Sequence, residues 1–239
     1  MTERLIRPFL AFLMILLGCR MATAGFYERC QEMVKAQVIM RGITNDNVIA
    51  AMRAVPRHLF VPIMMRRLAY DDRPLPIGYY QTISQPYMVA LMSEKLAVKP
   101  GERVLEVGTG SGYQAAILAQ MGMKVYTIEI VEPLARDAEA TLKNLGYKDV
   151  KVKTGDGFRG WPEFAPFDAV IVTCAPEKVP PPLVEQTREG GRIVIPVGKP
   201  GDQKLYVMEK KEGKLEKEAI VPVVFVPMTG EAEKAESKR

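Results

Sequence analysis

The chain has 239 residues, 48% of them hydrophobic, which is enough for one substantial core with a small cap and too little for two large independent domains. Its formal charge is +5, but the first 24 residues supply +2 of that, and the remainder intersperses 30 basic with 27 acidic residues without a basic stripe, which argues against nucleic acid as partner. A single histidine, His58, and three cysteines without CxxC spacing, Cys19, Cys30 and Cys174, argue against a disulfide scaffold, a metal site and a His-dependent triad.

In chain order, Arg4 and Arg7 precede FLAFLMILL (9–17), an apolar run too short to span a bilayer and similar to the central region of a secretory signal. Three readings of residues 1–24 stand side by side. LLGC (16–19) fits a lipoprotein box with Cys19 acylated, ATA (22–24) fits a signal cleavage site, and Met21 fits a true start behind a misassigned extension. FYERCQEMVKAQVIMRGI (26–43) carries helical periodicity. A turn at Asn45 to Asn47 caps a second helix, VIAAMRAV, which Pro56 ends. Five prolines between 56 and 86 predict a shaped loop layer, and MVALMSEKLAV (88–98) predicts an amphipathic helix. His58, within that layer, reads as a packed or surface residue.

From Arg103 strands and helices alternate: RVLEVG, YQAAILAQMG, KVYTIEI, EPLARDAEATLKNLG, VKVKTGD, FDAVIVTCA, PPPLVEQTREGG and RIVIPVG. VLEV and AVIV are apolar runs without polar alternation, as in strands covered on both faces. This pattern predicts an α/β fold with a doubly wound, Rossmann-like sheet, an N-terminal helical and loop cap, and a C-terminal antiparallel addition around Glu212 and Gly213. The expected organisation is a leader (1–24), one domain (25–230) and a charged, solvated tail (231–239). Within the domain, 25–87 form the cap, 88–200 the ligand-binding sheet and 201–230 the closing strands.

VLEVGTGSGY (104–113) is the most specific stretch: a buried strand runs into Gly108, Gly110 and Gly112, and a helix follows. Dinucleotides and S-adenosylmethionine both use such a turn. The dinucleotide fingerprint needs glycine where Tyr113 stands, and Glu106, two residues before Gly108 at the tip of the strand, would repel a pyrophosphate but attract a sulfonium and an ammonium. Glu129, twenty-one residues after Gly108 at the end of the second strand, suits the two ribose hydroxyls. Asp156, in TGDG, is placed for the adenine amino group, with Gly157 allowing the ring to approach. Asp168 reads equally well as a ligand contact or a strand-edge charge, and Cys174 as packing rather than chemistry. Ser84 lacks a G-x-S-x-G elbow and a nearby base, so it is not read as a nucleophile; standing shortly before a helix with Pro86 near its first turn, it also fits an N-cap.

With LPIGYYQTISQP, VLEVGTGSGY, FDAVIVTCAP, RIVIPVG and FVPMTG together, residues 25 to 230 resemble the protein-L-isoaspartate O-methyltransferase family. The resemblance implies S-adenosylmethionine as cofactor, isoaspartyl-containing proteins and peptides as partners, and methylation of the isoaspartyl α-carboxylate as the first step of repair through a succinimide. It implies that Ser84 is the active-site serine, that Thr82, Ile83, Gln85 and Pro86 form the substrate loop, and that Val226, Pro227 and Thr229 form a C-terminal wall. Within it, Ser84 reads as a hydrogen-bond donor that orients a carboxylate already ionised at neutral pH. Cytosolic synthesis of the cofactor makes a cytoplasmic protein the expectation. Export, or a membrane anchor through residues 1–24 or a lipidated Cys19, is the alternative. A methyltransferase acting on another carboxylate or a small molecule, and a nucleotide-binding module without catalysis, are the competing readings.

Overall fold

The computed structural model describes residues 25–236; the leader readings, Cys19 among them, and residues 237–239 lie outside the described residues. An N-terminal helix, α1 (25–33), runs on through π and 3-10 turns to Arg41. Asn45 then starts α2 (Asp46–Ala54) as expected, its side-chain oxygen accepting the Asn47 and Val48 N–H groups. The proline-rich layer holds two 3-10 turns and a small hairpin, β1 (Leu75–Gly78) and β2 (Gln81–Ile83), which the sequence did not announce. Helix α3 (Pro86–Leu96) begins two residues before the expected start, because the fixed φ of proline suits the first helical position. Gln85, not Ser84, precedes it, and neither side chain caps it.

The alternating region follows as β3 (Arg103–Val107), α4 (Tyr113–Gln120), β4 (Lys124–Glu129), α5 (Glu132–Asn144), β5 (Lys151–Thr154) and β6 (Phe167–Val172). It is completed by α6 (Pro181–Glu185), β7 (Thr187–Val197), β8 (Gln203–Lys211) and β9 (Lys214–Val223). The seven-stranded sheet has the order β5-β4-β3-β6-β7-β8-β9, with β8 and β9 antiparallel. Successive residues of the apolar runs serve opposite faces: Val104, Ala169 and Ile171 join the core under α1 to α4, whereas Leu105, Val170 and Val172 join a second core with Phe167, Leu183 and Met208.

Two expectations need correction. TREGG, grouped in the sequence with PPPLVEQ ahead of RIVIPVG, is instead part of β7, and the irregular register between Phe167 and Ala169 absorbs the extra residues. The charged tail is not simply solvated: residues Glu231–Glu236 form α7, Ala232 packs into the second core, and Glu231 pairs with Arg159. An alanine on an otherwise polar turn was enough to dock it once an arginine lay opposite.

Candidate active site

Between β3 and β6 the chain order of the parallel sheet reverses, so the loops at their carboxyl ends part and leave a crevice. Val107 at the end of β3 and Gly108 after it, with Thr173 and Cys174 after β6, line an open cleft of about 560 Å³. Ile128, Glu129 and Ile130 close one side, Gly157 the floor, Gln81 and Thr82 another side, and residues Val226 to Thr229 the last. The C-terminal segment is held there by paired backbone: Ala175 N–H donates to Val226 O at 2.8 Å and Met228 N–H to Ala175 O at 2.9 Å.

Gly108 has φ +97°, and a Cβ there would run into Thr173 Oγ1. That hydroxyl donates to Gly108 O at 2.6 Å, tying the end of β3 to the end of β6. Gly157 is required for a different reason, since a Cβ would strike Val107 Cγ1 and fill the floor of the cleft. Glu129 accepts Gly110 N–H on one oxygen (2.8 Å) and Val131 N–H on the other (3.0 Å). An ionised carboxylate has about four lone-pair positions, so each oxygen keeps one for a ligand hydroxyl.

Other expected ligand residues are placed differently. Gly112 starts α4 in the left-handed region against Leu142 and Ala138, outside the cleft lining. Asp156 is absent from that lining too: its Oδ1 accepts Phe158 N–H (2.9 Å) and its Oδ2 accepts Glu231 N–H (2.8 Å), so it anchors α7 beside the cleft. Glu106 stands within β3 rather than at its tip, paired in register with Thr127 and Ile171, fully buried, and without a hydrogen-bond partner on either oxygen among the described residues.

Burial, with the Glu129 charge adding to it and Thr127 opposing, pushes the Glu106 carboxyl from 4.5 up to about 8. Between those values the folded chain keeps a proton that the unfolded chain has lost, so this group's effect is a stability that falls as pH rises from about 4.5 to about 8 and is level above it. Glu106→Gln is therefore expected to flatten the fall. Urea unfolding midpoints measured across that range check it, and a slope unchanged in the variant would refute it.

On the far side of Thr82 and Thr173 lies a larger groove of about 1270 Å³, lined by Ser84, Gln85, Met88 and residues 222–226. Ser84 also lines a smaller cavity against Gly108 to Ser111, so it stands between the groove and the glycine turn. Of its neighbours in the loop, Thr82 is exposed, whereas Ile83 and Pro86 are buried and Ile83 joins the first core. The Gln85 amide donates to Asp72 at 2.8 Å. Sequence reasoning missed Thr173, which lines all three spaces. Its position immediately past the fourth strand of the alternation, at the switch point, was the available signal.

Three further residues are settled by their surroundings. His58 stacks on Phe26 with ring centroids 4.1 Å apart, its Nδ1 lies 2.7 Å from the Tyr70 hydroxyl, and burial followed by the Arg66 charge lowers its pKa, all consistent with a packed role. Asp168 sits at the opening end of β6, away from the cleft, accepting Arg103 N–H and the Arg188 guanidinium; it is a strand-edge charge. Cys174 lines the cleft, where burial and then the Glu129 and Asp156 charges push its thiol up to about 12, far from a reactive thiolate.

A carboxylate holding the glycine turn, with a floor that tolerates no side chain, suits a cationic nucleoside and opposes an anionic one. Together with the sheet order, this places the chain among the Rossmann-like, S-adenosylmethionine-dependent methyltransferases. Residues 28–233 match the family described as Protein-L-isoaspartate(D-aspartate) O-methyltransferase. A protein-L-isoaspartate O-methyltransferase of Opitutus terrae is 54% identical over 231 residues, covering 94% of this chain and 99% of its own. One of Gloeobacter violaceus is 54% identical over 200 residues, covering 83% and 98%. Among solved structures, a protein-L-isoaspartate O-methyltransferase superposes with a TM-score of 0.79 at 28% identity, covering 88% of this chain and 69% of its own. A putative one from Plasmodium falciparum, in complex with S-adenosyl-L-homocysteine, gives 0.74 at 27%, covering 84% and 98%. The chain belongs to the protein-L-isoaspartate O-methyltransferase family.

Proposed function

We infer that the protein transfers a methyl group from S-adenosylmethionine to the α-carboxylate of L-isoaspartyl residues in damaged proteins and peptides, which begins their repair through a succinimide. The observation that carries this reading is the position of Ser84, lining both the open groove and the small cavity against the glycine turn.

When bound, S-adenosylmethionine supplies a methyl group on a sulfonium, and this calls only for an ionised acceptor in line with it. A carboxylate with a pKa near 4 meets that need at neutral pH without a general base. Among the described residues His58 is stacked on Phe26 rather than facing the cleft, and the Cys174 thiol is held protonated, so neither serves as a base there. The protein's task is then to place the acceptor and exclude water. Ser84 donates to the carboxylate and orients it. Thr82, Gln85, Val226, Pro227 and Thr229 wall the approach of an extended peptide, while Ile83 and Pro86 hold the loop from below. Gly108, Gly110, Glu129 and Gly157 receive the cofactor directly. Gly112 and Asp156 support that site, one by starting α4 and the other by tying α7 to the cleft wall. Glu106 lies buried within β3, two residues before the turn, and burial holds its carboxyl protonated at neutral pH, so it brings no charge to the cofactor.

On this reading residues 25–230 act as a single methyltransferase domain with α7 docked on it. Cytosolic synthesis of the cofactor supports a cytoplasmic protein. Among the described residues no helix is long and apolar enough to cross a membrane.

The test is radiolabelled methyl transfer to a synthetic isoaspartyl peptide and to its normal aspartyl counterpart. Incorporation into the first alone is expected. Equal rates on both, or methylation confined to small free acids, would overturn the assignment.

A further inference from the structure

Arg57 is the largest of the fully buried side chains, and nothing in the reading so far employs it. It opens the 3-10 turn Arg57–Leu59 after Pro56. Its Nε donates to Ala69 O at 2.7 Å, its Nη2 donates to Ser84 O at 2.7 Å, and its guanidinium carbon lies 4.9 Å from the centre of the Tyr113 ring. Nη1 has no hydrogen-bond partner, and no carboxylate pairs with the group among the described residues. Burial lowers its pKa only to about 10, so it carries its charge at neutral pH.

A buried cation without an anion is costly, and an apolar side chain of similar volume would fill the same space more cheaply. What an apolar residue would not do is reach the Ser84 carbonyl. That carbonyl lies between the end of β2 at Ile83 and the start of α3 at Pro86, outside both the hairpin ladder and the helix. Tyr113, on the other side of the guanidinium, is the first residue of α4 after the glycine turn. The rigid planar fork of arginine therefore ties the loop that carries Ser84 to the helix that follows the glycine turn.

We propose that Arg57 is a positioning residue for methyl transfer: by gripping the Ser84 carbonyl from within the core and stacking on Tyr113, it fixes where the Ser84 hydroxyl stands relative to the glycine turn. The inference rests on the reading of Ser84 as the donor to the acceptor carboxylate.

A double-mutant cycle on the full chain tests it with Arg57→Lys, Ser84→Ala and the pair, reading kcat with an isoaspartyl peptide and Kd for S-adenosylhomocysteine. A lysine ammonium does not span both carbonyls, so Arg57→Lys is expected to lower kcat about 10-fold with Ser84 present, by less than about 2-fold in the alanine background, and to leave cofactor affinity within about 2-fold. The same loss in both backgrounds, unchanged kcat in Arg57→Lys, or a parallel loss of cofactor affinity would overturn the proposal. No loss from Ser84→Ala alone would instead refute the reading of the serine, and the positioning role with it. If Arg57→Lys shows no cooperative thermal transition, Arg57→Gln, whose amide donates to one carbonyl, replaces it in the cycle. Failure of both variants to fold would assign Arg57 to stability alone and reject the proposal.

Discussion

Ser84→Ala is expected to lower kcat for an isoaspartyl peptide by about 10-fold to 100-fold while Kd for S-adenosylhomocysteine stays within about 2-fold, because one hydrogen bond to a charged group contributes about 1.5 to 3 kcal/mol. The division of effects follows from where the residue lies. Ser84 lines the groove and the small cavity, but it is absent from the lining of the main cleft that Glu129 and Gly157 share. Its hydroxyl has no hydrogen-bond partner among the described residues, so the donor is free for an acceptor carboxylate, and its backbone carbonyl is held separately by Arg57. Removing the hydroxyl leaves the loop backbone anchored and the acceptor less well oriented, and misorientation is what a reaction without a general base feels most. Steady-state kinetics with calorimetric titration of S-adenosylhomocysteine decides the matter. Cofactor affinity lost in step with turnover would show that Ser84 belongs to the cofactor site instead.

Glu129→Ala is expected to weaken S-adenosylhomocysteine binding by about 100-fold, since it removes charge-assisted acceptors and leaves backbone donors without a partner, each effect contributing about 1 to 3 kcal/mol. The carboxylate does two things at once: it accepts Gly110 N–H and Val131 N–H, and it faces the cleft. Glu129→Gln separates them. The amide keeps one acceptor oxygen and loses the charge, so an intermediate affinity is expected, with the thermal midpoint closer to that of the parent. Calorimetry and thermal unfolding of the two variants give the answer. A lowered midpoint with unchanged affinity would mean that the acid serves the turn and not the ligand.

Elements whose signals are short-range were legible in the sequence. Asn45 capped α2 as its side chain predicts, VLEV and AVIV became strands buried on both faces, and Gly108 took the left-handed conformation that the turn after β3 demands. Glu129 arrived at the end of β4, inside the cleft lining, as its distance from the glycine turn implied. The misplacements share a cause. Glu106 precedes the turn by two residues, which in the sequence suits a strand tip, but parallel pairing with Thr127 and Ile171 carries β3 past it and encloses it from both sides. TREGG groups with PPPLVEQ ahead of RIVIPVG in the sequence, yet pairing with β8 draws Arg192 and the following residues into register, and the strand extends back to Thr187.

Taken alone, the sequence determined the class of fold, the glycine turn and the position of Glu129 at the end of its strand, because side-chain periodicity and glycine act over a few residues and do not depend on what packs against them. The tertiary structure decided which oxygens remain for a ligand and what holds each catalytic group. The two Asp156 oxygens are taken by backbone N–H groups, one of them 75 residues away at Glu231, and the Ser84 carbonyl is taken by an arginine 27 residues before it. Such pairings are set by the closing of the two cores, which brings distant donors and acceptors together where water no longer competes for them, and no local pattern in the chain records that.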